Sequence, residues 1–260
     1  MKAPTIFIAA MACMMLITSA AFSQDEVQLA VNPQVLDIGA FYNGATITAT
    51  GTTPADSHVI LRFVGATCDL HMKERGKVFG IMWMNLDSLT FKGVPNVCLV
   101  SSALAFDNLA GNAEPKEGSA VKALRLLGIK DMASIETNGL DETVAFEEFL
   151  KLKQGEGLYR EMVGNISYGP PSEGKKSFTA EIPIPSRLTP GKYLVELVAV
   201  RDGSIIARAQ QPVTANLVGF PAMLANLAFG HGALYGILAT LIALLAGLAI
   251  GLVFQSKGAH

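Results

Sequence analysis

Residues 232–254 read GALYGILATLIALLAGLAIGLVF, and this run contains no charged side chain. A helix rises about 1.5 Å per residue, so a run of this length can cross a hydrocarbon core of about 30 Å. The run therefore predicts one transmembrane helix. Residues 255–260 would form a short tail on its far side, and the rest of the chain would fold on the other side of the membrane.

Small residues recur at helical spacing within the predicted span. They are Gly232, Gly236, Ala239, Ala243, Gly247 and Gly251. Small side chains let two helix backbones approach closely, and helix association in lipid depends on that approach. The pattern predicts a helix-packing surface, whose partner is a second copy of the chain or another integral membrane protein.

Residues 217–231, just before the span, are also apolar and uncharged, with Pro221 as an interruption. We interpret this segment as a short helix lying in the outer interface of the membrane. A helix packed under the folded body is the alternative.

The N-terminus carries a different apolar stretch, residues 5–18, after a single lysine. The run is short for a span, and small residues follow it. This pattern predicts a cleaved signal peptide over residues 1–23, with the bond after Ala21 as a second candidate cut. An uncleaved anchor is one alternative. A lipoprotein modified at Cys13 is less favoured, because apolar residues continue after that cysteine.

A signal peptide and one span together predict the location of the chain. Residues 24–216 would be periplasmic and the C-terminus cytoplasmic, in a single-pass protein of the inner (cytoplasmic) membrane. Lys257 agrees with the positive-inside rule, and no Lys or Arg lies between Arg208 and the span. Export and a formal net charge of −2 argue against nucleic acid as a partner.

The exported body carries strand signals over most of its length. In residues 58–64, apolar side chains alternate between two faces, and Asn43-Gly44 and Asp202-Gly203 are turn signals. Short alternating strands of this kind predict a mainly β fold, an immunoglobulin-like β-sandwich.

Residues 115–157 break the strand pattern. Apolar residues there recur at helical spacing, and Asp141 stands where an N-cap would. The segment predicts a helical insertion packed on the sandwich.

Familiar catalytic motifs do not occur in the sequence. There is no G-x-S-x-G, HExxH or phosphate-binding glycine loop. We therefore predict no catalytic residue and no cofactor, and we expect that the chain is not an enzyme.

Four residues form the best metal-like set: Cys68, His71, Met72 and Cys98. Sulfur and imidazole ligands suit copper, but this spacing is not specific for a metal site. In an oxidising compartment Cys68 and Cys98 could instead form a disulfide, or both could be free, structural cysteines.

A basic cluster, Lys73, Arg75 and Lys77, precedes the apolar residues 78–86, which hold the only tryptophan, Trp83. With Trp83 and Asn85 it could contact an oxyanion or an acidic partner. The alternative is a solvated turn with a buried tryptophan behind it.

Several short motifs together resemble a family of bacterial proteins, the alphaproteobacterial putative transmembrane proteins. The matching residues are Pro33, Phe41-Tyr42-Asn43-Gly44-Ala45, Gly80-Ile81-Met82-Trp83-Met84-Asn85, Gly157-Leu158-Tyr159, Phe178, Ile182-Pro183-Ile184-Pro185, Pro190-Gly191-Lys192-Tyr193 and Leu234-Tyr235-Gly236. The family pattern is richer in arginine before the Trp-Asn motif than residues 73–77 are.

The resemblance implies a single-span exported protein with an accessory role. Members of the family are often encoded near sulfite-exporter-like permeases, so the expected partner is an integral membrane transporter or complex. The resemblance supplies no catalytic residues.

Overall fold

The computed structural model describes residues 27–110, 120–137 and 139–255. The predicted signal peptide and residues 256–260 of the predicted tail lie outside the described residues. The strands are β1 Gln28–Asn32, β2 Val35–Ile38, β3 Ala45–Pro54, β4 His58–Gly65, β5 Thr67–Val78, β6 Met82–Pro95, β7 Cys98–Ser102, β8 Ser134–Glu136, β9 Tyr159–Val163, β10 Ile166–Tyr168, β11 Lys175–Ile184, β12 Gly191–Arg201 and β13 Ser204–Leu217. The helices are α1 Phe106–Ala110, α2 Ile129–Met132, α3 Glu142–Gly155, α4 Gly219–Gly230 and α5 Gly232–Gln255, with a 3₁₀ turn at Leu126–Gly128.

Two sheets enclose the main hydrophobic core. One has the order β1-β3-β11-β10 and the other the order β2-β13-β12-β4-β7-β9. The predicted alternation places Val59, Leu61 and Phe63 of β4 in this core, where they meet residues such as Ile47 and Phe178 of the facing sheet. The mainly β prediction is confirmed, while the immunoglobulin-like assignment stays a prediction.

The six-stranded sheet is buried on its second face as well. Ile60 of β4 and Val198 and Val200 of β12 belong to a separate core that includes Phe146 and Phe149 of α3. This helix begins at its predicted N-cap, since the Asp141 carboxylate accepts hydrogen bonds from the backbone N–H groups of Thr143 and Val144. These bonds also lower the pKa of Asp141. The helical segment therefore covers a face that would otherwise be open.

The Asn43-Gly44 turn does not close a hairpin. The strand before it, β2, pairs in parallel with β13, while β3 after it lies in the four-stranded sheet. The turn carries the chain from one sheet to the other. Asp202-Gly203 does close the predicted hairpin, with Arg201 opposite Ser204 and positive φ at both turn residues.

A long two-stranded ribbon, β5–β6, continues the β4–β7 pair without a change of register. Val64 lies opposite Cys98 at the end of one pair, and Thr67 opposite Pro95 at the start of the next. Backbone hydrogen bonds of Gly65 and Asn96 bridge the junction. At about 3.3 Å per residue, β5 extends over roughly 40 Å.

The ribbon leaves the sandwich at the same end as the chain that enters the membrane helices. Gly65 of β4 lies opposite Tyr193 of β12, and Gly191 lies opposite Ala215 of β13. The last residues of β13 lead directly into α4. We call this end of the body the α4 end.

Among the described residues, contacts with other elements are concentrated on the first part of the ribbon. Phe91 stacks on Phe149 of α3 with ring centroids 4.6 Å apart, and the Tyr159 hydroxyl donates a 2.6 Å hydrogen bond to the Pro95 carbonyl oxygen. Strand β8 pairs with β6 at residues 90–92. We call this packed part, residues 67–72 and 89–95, the ribbon root, and residues 75–86 the ribbon tip.

Candidate functional site

Helix α5 is long and apolar enough to cross a membrane. Residues Gly232–Leu252 have a mean hydropathy of 2.4, and none of the residues in the most apolar part is buried by the rest of the protein. Gln255 ends the helix one residue beyond the predicted span. A helix that is apolar all round and uncovered requires lipid or another protein around it.

No described residue lies against the glycines of the predicted small-residue surface of α5. At 3.6 residues per turn, the six small residues fall within about one third of the helix circumference. A Cβ atom built on Gly232, Gly236, Gly247 or Gly251 would meet nothing within 4 Å. The surface is thus geometrically able to receive a second helix closely.

Helix α4 is likewise exposed. It buries none of its residues, and Phe220, Met223 and Phe229 all face outward. Pro221 does not interrupt the helix, because it lies in the first turn, where its missing N–H has no helical partner anyway. No residue of α4 is buried, which disfavours a helix packed under the folded body, and the interfacial position stays a prediction.

The structure does not bring Cys68 and Cys98 together. Both are free thiols, and Cys68 lies opposite Val94, four residues before Cys98 on the continuous β6–β7 strand path. Four residues of extended strand span about 13 Å, whereas bonded cysteines need Cα atoms within about 7 Å of each other. The register therefore disfavours the predicted disulfide.

The metal-like set is also dispersed. Cys68 and Met72 point to one face of β5, while His71 points to the other and lies 3.1 Å from the Thr90 hydroxyl. Among the described residues, no group of three or more His, Cys, Asp and Glu side chains is placed to hold a metal ion.

The thiol of Cys98 has low reactivity at neutral pH. It is fully buried, and burial raises the pKa of its thiol from 9.0 to about 11. Because the thiolate is the reactive form, this environment suppresses redox and metal chemistry at Cys98.

The basic cluster lies on one exposed face of the ribbon. Lys73, Arg75 and Lys77 alternate along β5, with Trp83 directly opposite Lys77 and Asn85 opposite Arg75. The Lys77 ammonium is 5.4 Å from the centre of the Trp83 ring. Trp83 is 68% exposed, so the prediction of a buried tryptophan behind a turn is wrong.

The opposite face of the ribbon tip is apolar, and its Met82, Met84 and Leu86 side chains are exposed. It carries Val78, Met82 and Met84, and the Leu86 side chain lies over Gly76. The strand pairing continues here without the helices that cover the same face of the ribbon root.

The apex of the ribbon is a two-residue turn at Phe79-Gly80. Both residues have positive φ, and the Ile81 N–H donates to the Val78 carbonyl oxygen. Phe79 is 90% exposed and Ile81 is 83% exposed. The sequence pattern alone did not mark these apex residues as functional, although a glycine in the middle of an apolar run permits a tight turn there.

One buried ionic cluster lies within the six-stranded sheet. Both oxygens of the Glu196 carboxylate are paired, one with Arg62 at 3.0 Å and the other with Arg208 at 2.9 Å. Because the two arginines compensate the charge of the Glu196 carboxylate, we interpret this cluster as a structural part of the sheet and not as a ligand site.

Comparison with known proteins assigns the chain to a family. No curated protein matches the chain. A sequence profile described as "Putative transmembrane protein (Alph_Pro_TM)" matches residues 26–256, which include the β body, the ribbon and both C-terminal helices. With one candidate span among the described residues and a profile match over nearly the whole length, the chain belongs to the Alph_Pro_TM family of putative transmembrane proteins.

Proposed function

We propose that this protein is a membrane-anchored accessory protein without catalytic activity. Its β body lies in the periplasm, α5 holds it in the inner membrane, and it pairs there with an integral membrane transporter or complex. The sulfite-exporter-like permeases implied by the family resemblance are the first partners to test. The observation that carries the proposal is the open small-residue surface of α5.

Three features support this arrangement. An uncovered apolar helix is unstable in water, and the length and composition of α5 suit a membrane. Its small residues allow a partner helix to approach closely. Helix α4 is joined to α5 through His231 and has no buried residue. Its apolar composition is that of a segment lying at the membrane surface.

Metal and redox functions receive less support. The candidate ligands point to opposite faces of β5, and the Cys98 thiol is buried. An anion-binding role keeps its three cations on one exposed face of β5, but they do not converge on one cavity. Arg75 borders a cavity with Trp83, Met84 and Asn85, which Lys73 and Lys77 do not line.

A matched pair of alanine substitutions tests the role of α5. Ala243 lies within the small-residue surface, whereas Ala249 lies on the other side of the helix, since each residue advances by about 100°. We expect that Ala243→Leu abolishes helix association in a membrane two-hybrid assay and that Ala249→Leu does not. Equal association in both variants contradicts the proposed helix contact.

Copurification tests the accessory role directly. The full chain is extracted with mild detergent and its bound proteins are identified by mass spectrometry. We expect an integral membrane protein that is lost from the Ala243→Leu preparation. A chain recovered alone and monomeric overturns the accessory role.

A further inference from the structure

We propose that the ribbon tip is a second membrane-binding element, which inserts its apex into the leaflet that faces the β body. The occupant of the exposed apolar tip is thus the lipid surface itself. This inference rests on anchorage through α5 and does not require the proposed protein partner.

The composition of the tip fits a lipid surface. From Arg75 to Leu86 the chain has two cations and no acidic residue. Its large apolar side chains are Val78, Phe79, Ile81, Met82, Trp83, Met84 and Leu86. Anionic headgroups attract Lys and Arg, while aromatic and aliphatic side chains favour the boundary below the headgroups.

The order of these residues along the ribbon matches the layers of a leaflet. Phe79 and Ile81 form the apex, Lys77 and Trp83 share the second pair behind it, and Arg75 is two pairs further back. With Trp83 at the headgroup boundary, the apex would lie about 7 Å deeper and Arg75 about 7 Å further out. Interfacial elements typically penetrate about 5–10 Å.

The ribbon also sets a limit to insertion. Strand β8 pairs with one edge only at residues 90–92, and no other described strand pairs with the ribbon, so the strands of the tip have open edges within the described part of the chain. Unpaired backbone N–H and C=O groups are not tolerated in hydrocarbon. The tip can therefore enter the interface but not cross the membrane.

Topology brings the tip within reach of the bilayer. The ribbon and the α4–α5 segment leave from the same end of the body, and α5 holds that end at the membrane. A ribbon of roughly 40 Å is long compared with a penetration of about 10 Å.

The apex residue is not explained by folding. Phe79 occupies the first central position of a turn with positive φ at both central residues, where Asn, Asp or Gly is the ordinary choice. At 90% exposure its ring gains almost nothing from burial within the protein. Insertion into lipid would bury this ring and the neighbouring Ile81.

The fluorescence of Trp83 tests the proposal without a label, because the full sequence contains one tryptophan. The full chain is placed through α5 in nanodiscs of phosphatidylethanolamine and phosphatidylglycerol, at one copy per disc, and tryptophan is excited selectively. We expect quenching by lipids brominated on shallow acyl carbons and protection from aqueous acrylamide.

Two matched variants isolate the apex. Phe79→Asp combined with Ile81→Asp should abolish quenching by brominated lipid. Val163→Asp should preserve it, because Val163 is an exposed apolar residue at the opposite end of the six-stranded sheet. Circular dichroism checks that each variant keeps its fold.

A charge variant tests the headgroup contact. Lys73→Gln combined with Arg75→Gln should reduce the quenching in discs that contain phosphatidylglycerol. The same change should have little effect in discs of phosphatidylcholine alone, since the anionic attraction is absent there.

The quenching results differ if water or another copy of the chain, and not lipid, surrounds the ribbon tip. Quenching by acrylamide but not by brominated lipid places the tip in water and overturns the proposal. Protection from both quenchers that appears only in vesicles with many copies assigns the tip to a contact between chains and also overturns it. Either result leaves the helix contact of α5 to be judged by its own assay.

Discussion

The ribbon root and the ribbon tip share one β ladder and similar apolar character, yet they have opposite surroundings. At the root, Phe91 is 1% exposed and stacks on α3; at the tip, Phe79 is 90% exposed and contacts no core. The helical segment covers the ribbon root and stops short of the ribbon tip. Apolar residues of the root therefore stabilise the fold, whereas those of the tip remain available for binding.

The largest expected effect comes from removing a ring at the root. Phe91→Ala should lower the free energy of unfolding by about 3–5 kcal/mol, because it deletes a fully buried aromatic side chain and leaves a cavity. Urea unfolding in mild detergent, followed by circular dichroism, measures this. Phe79→Ala is the control on the same ribbon, with an expected change within about 0.5 kcal/mol. Similar losses in both variants would erase the distinction between root and tip.

A smaller effect should appear as a pH dependence at the junction of the root with the body. Folding raises the pKa of Cys98 from 9.0 to about 11, because burial disfavours the thiolate. The unfolded chain therefore loses this proton first. The contribution to stability is complete below about pH 9 and is lost as the pH rises toward 11.

Cys98→Val removes that titration. Its unfolding free energy should fall less steeply than that of the unchanged chain between pH 9 and pH 11. Cys68→Val is the comparison, at a cysteine that is only partly buried. If the unfolding free energies of the unchanged chain and Cys98→Val have parallel pH profiles, the thiol of Cys98 is accessible to water in the folded state.

The smallest expected effect is a gain of stability at the tip. Phe79→Gly should stabilise the fold by about 1 kcal/mol, since glycine adopts positive φ without the steric cost that a bulky residue carries. Ile81→Gly, also highly exposed but without positive φ, should give no gain. The same unfolding measurement applies, and a loss of stability in Phe79→Gly would mean that the ring is packed after all.

The contrast between root and tip also shows that local sequence patterns do not predict which apolar residues are covered. The run at residues 78–86 is apolar, and burial of Trp83 was a natural expectation for it. Whether such a run is covered depends on α3 and β8, which are distant in sequence. The same limit applies to β2, because its parallel partner β13 is far from it in the sequence, at the C-terminal end of the body. Local turn chemistry at Asn43-Gly44 could not identify that partner.

The sequence by itself determined the span, the mainly β class, the Asp202-Gly203 hairpin and the Asp141 cap. Each depends on local physics: the length and polarity of a helix, the two-residue period of a strand, positive φ in a tight turn, and a carboxylate near free backbone N–H groups. Only the tertiary structure decided that the cysteines lie on separate rungs, that the cations share a face with an exposed tryptophan, and that the ribbon tip projects uncovered. These depend on register and coverage, which are set by contacts between distant parts of the chain.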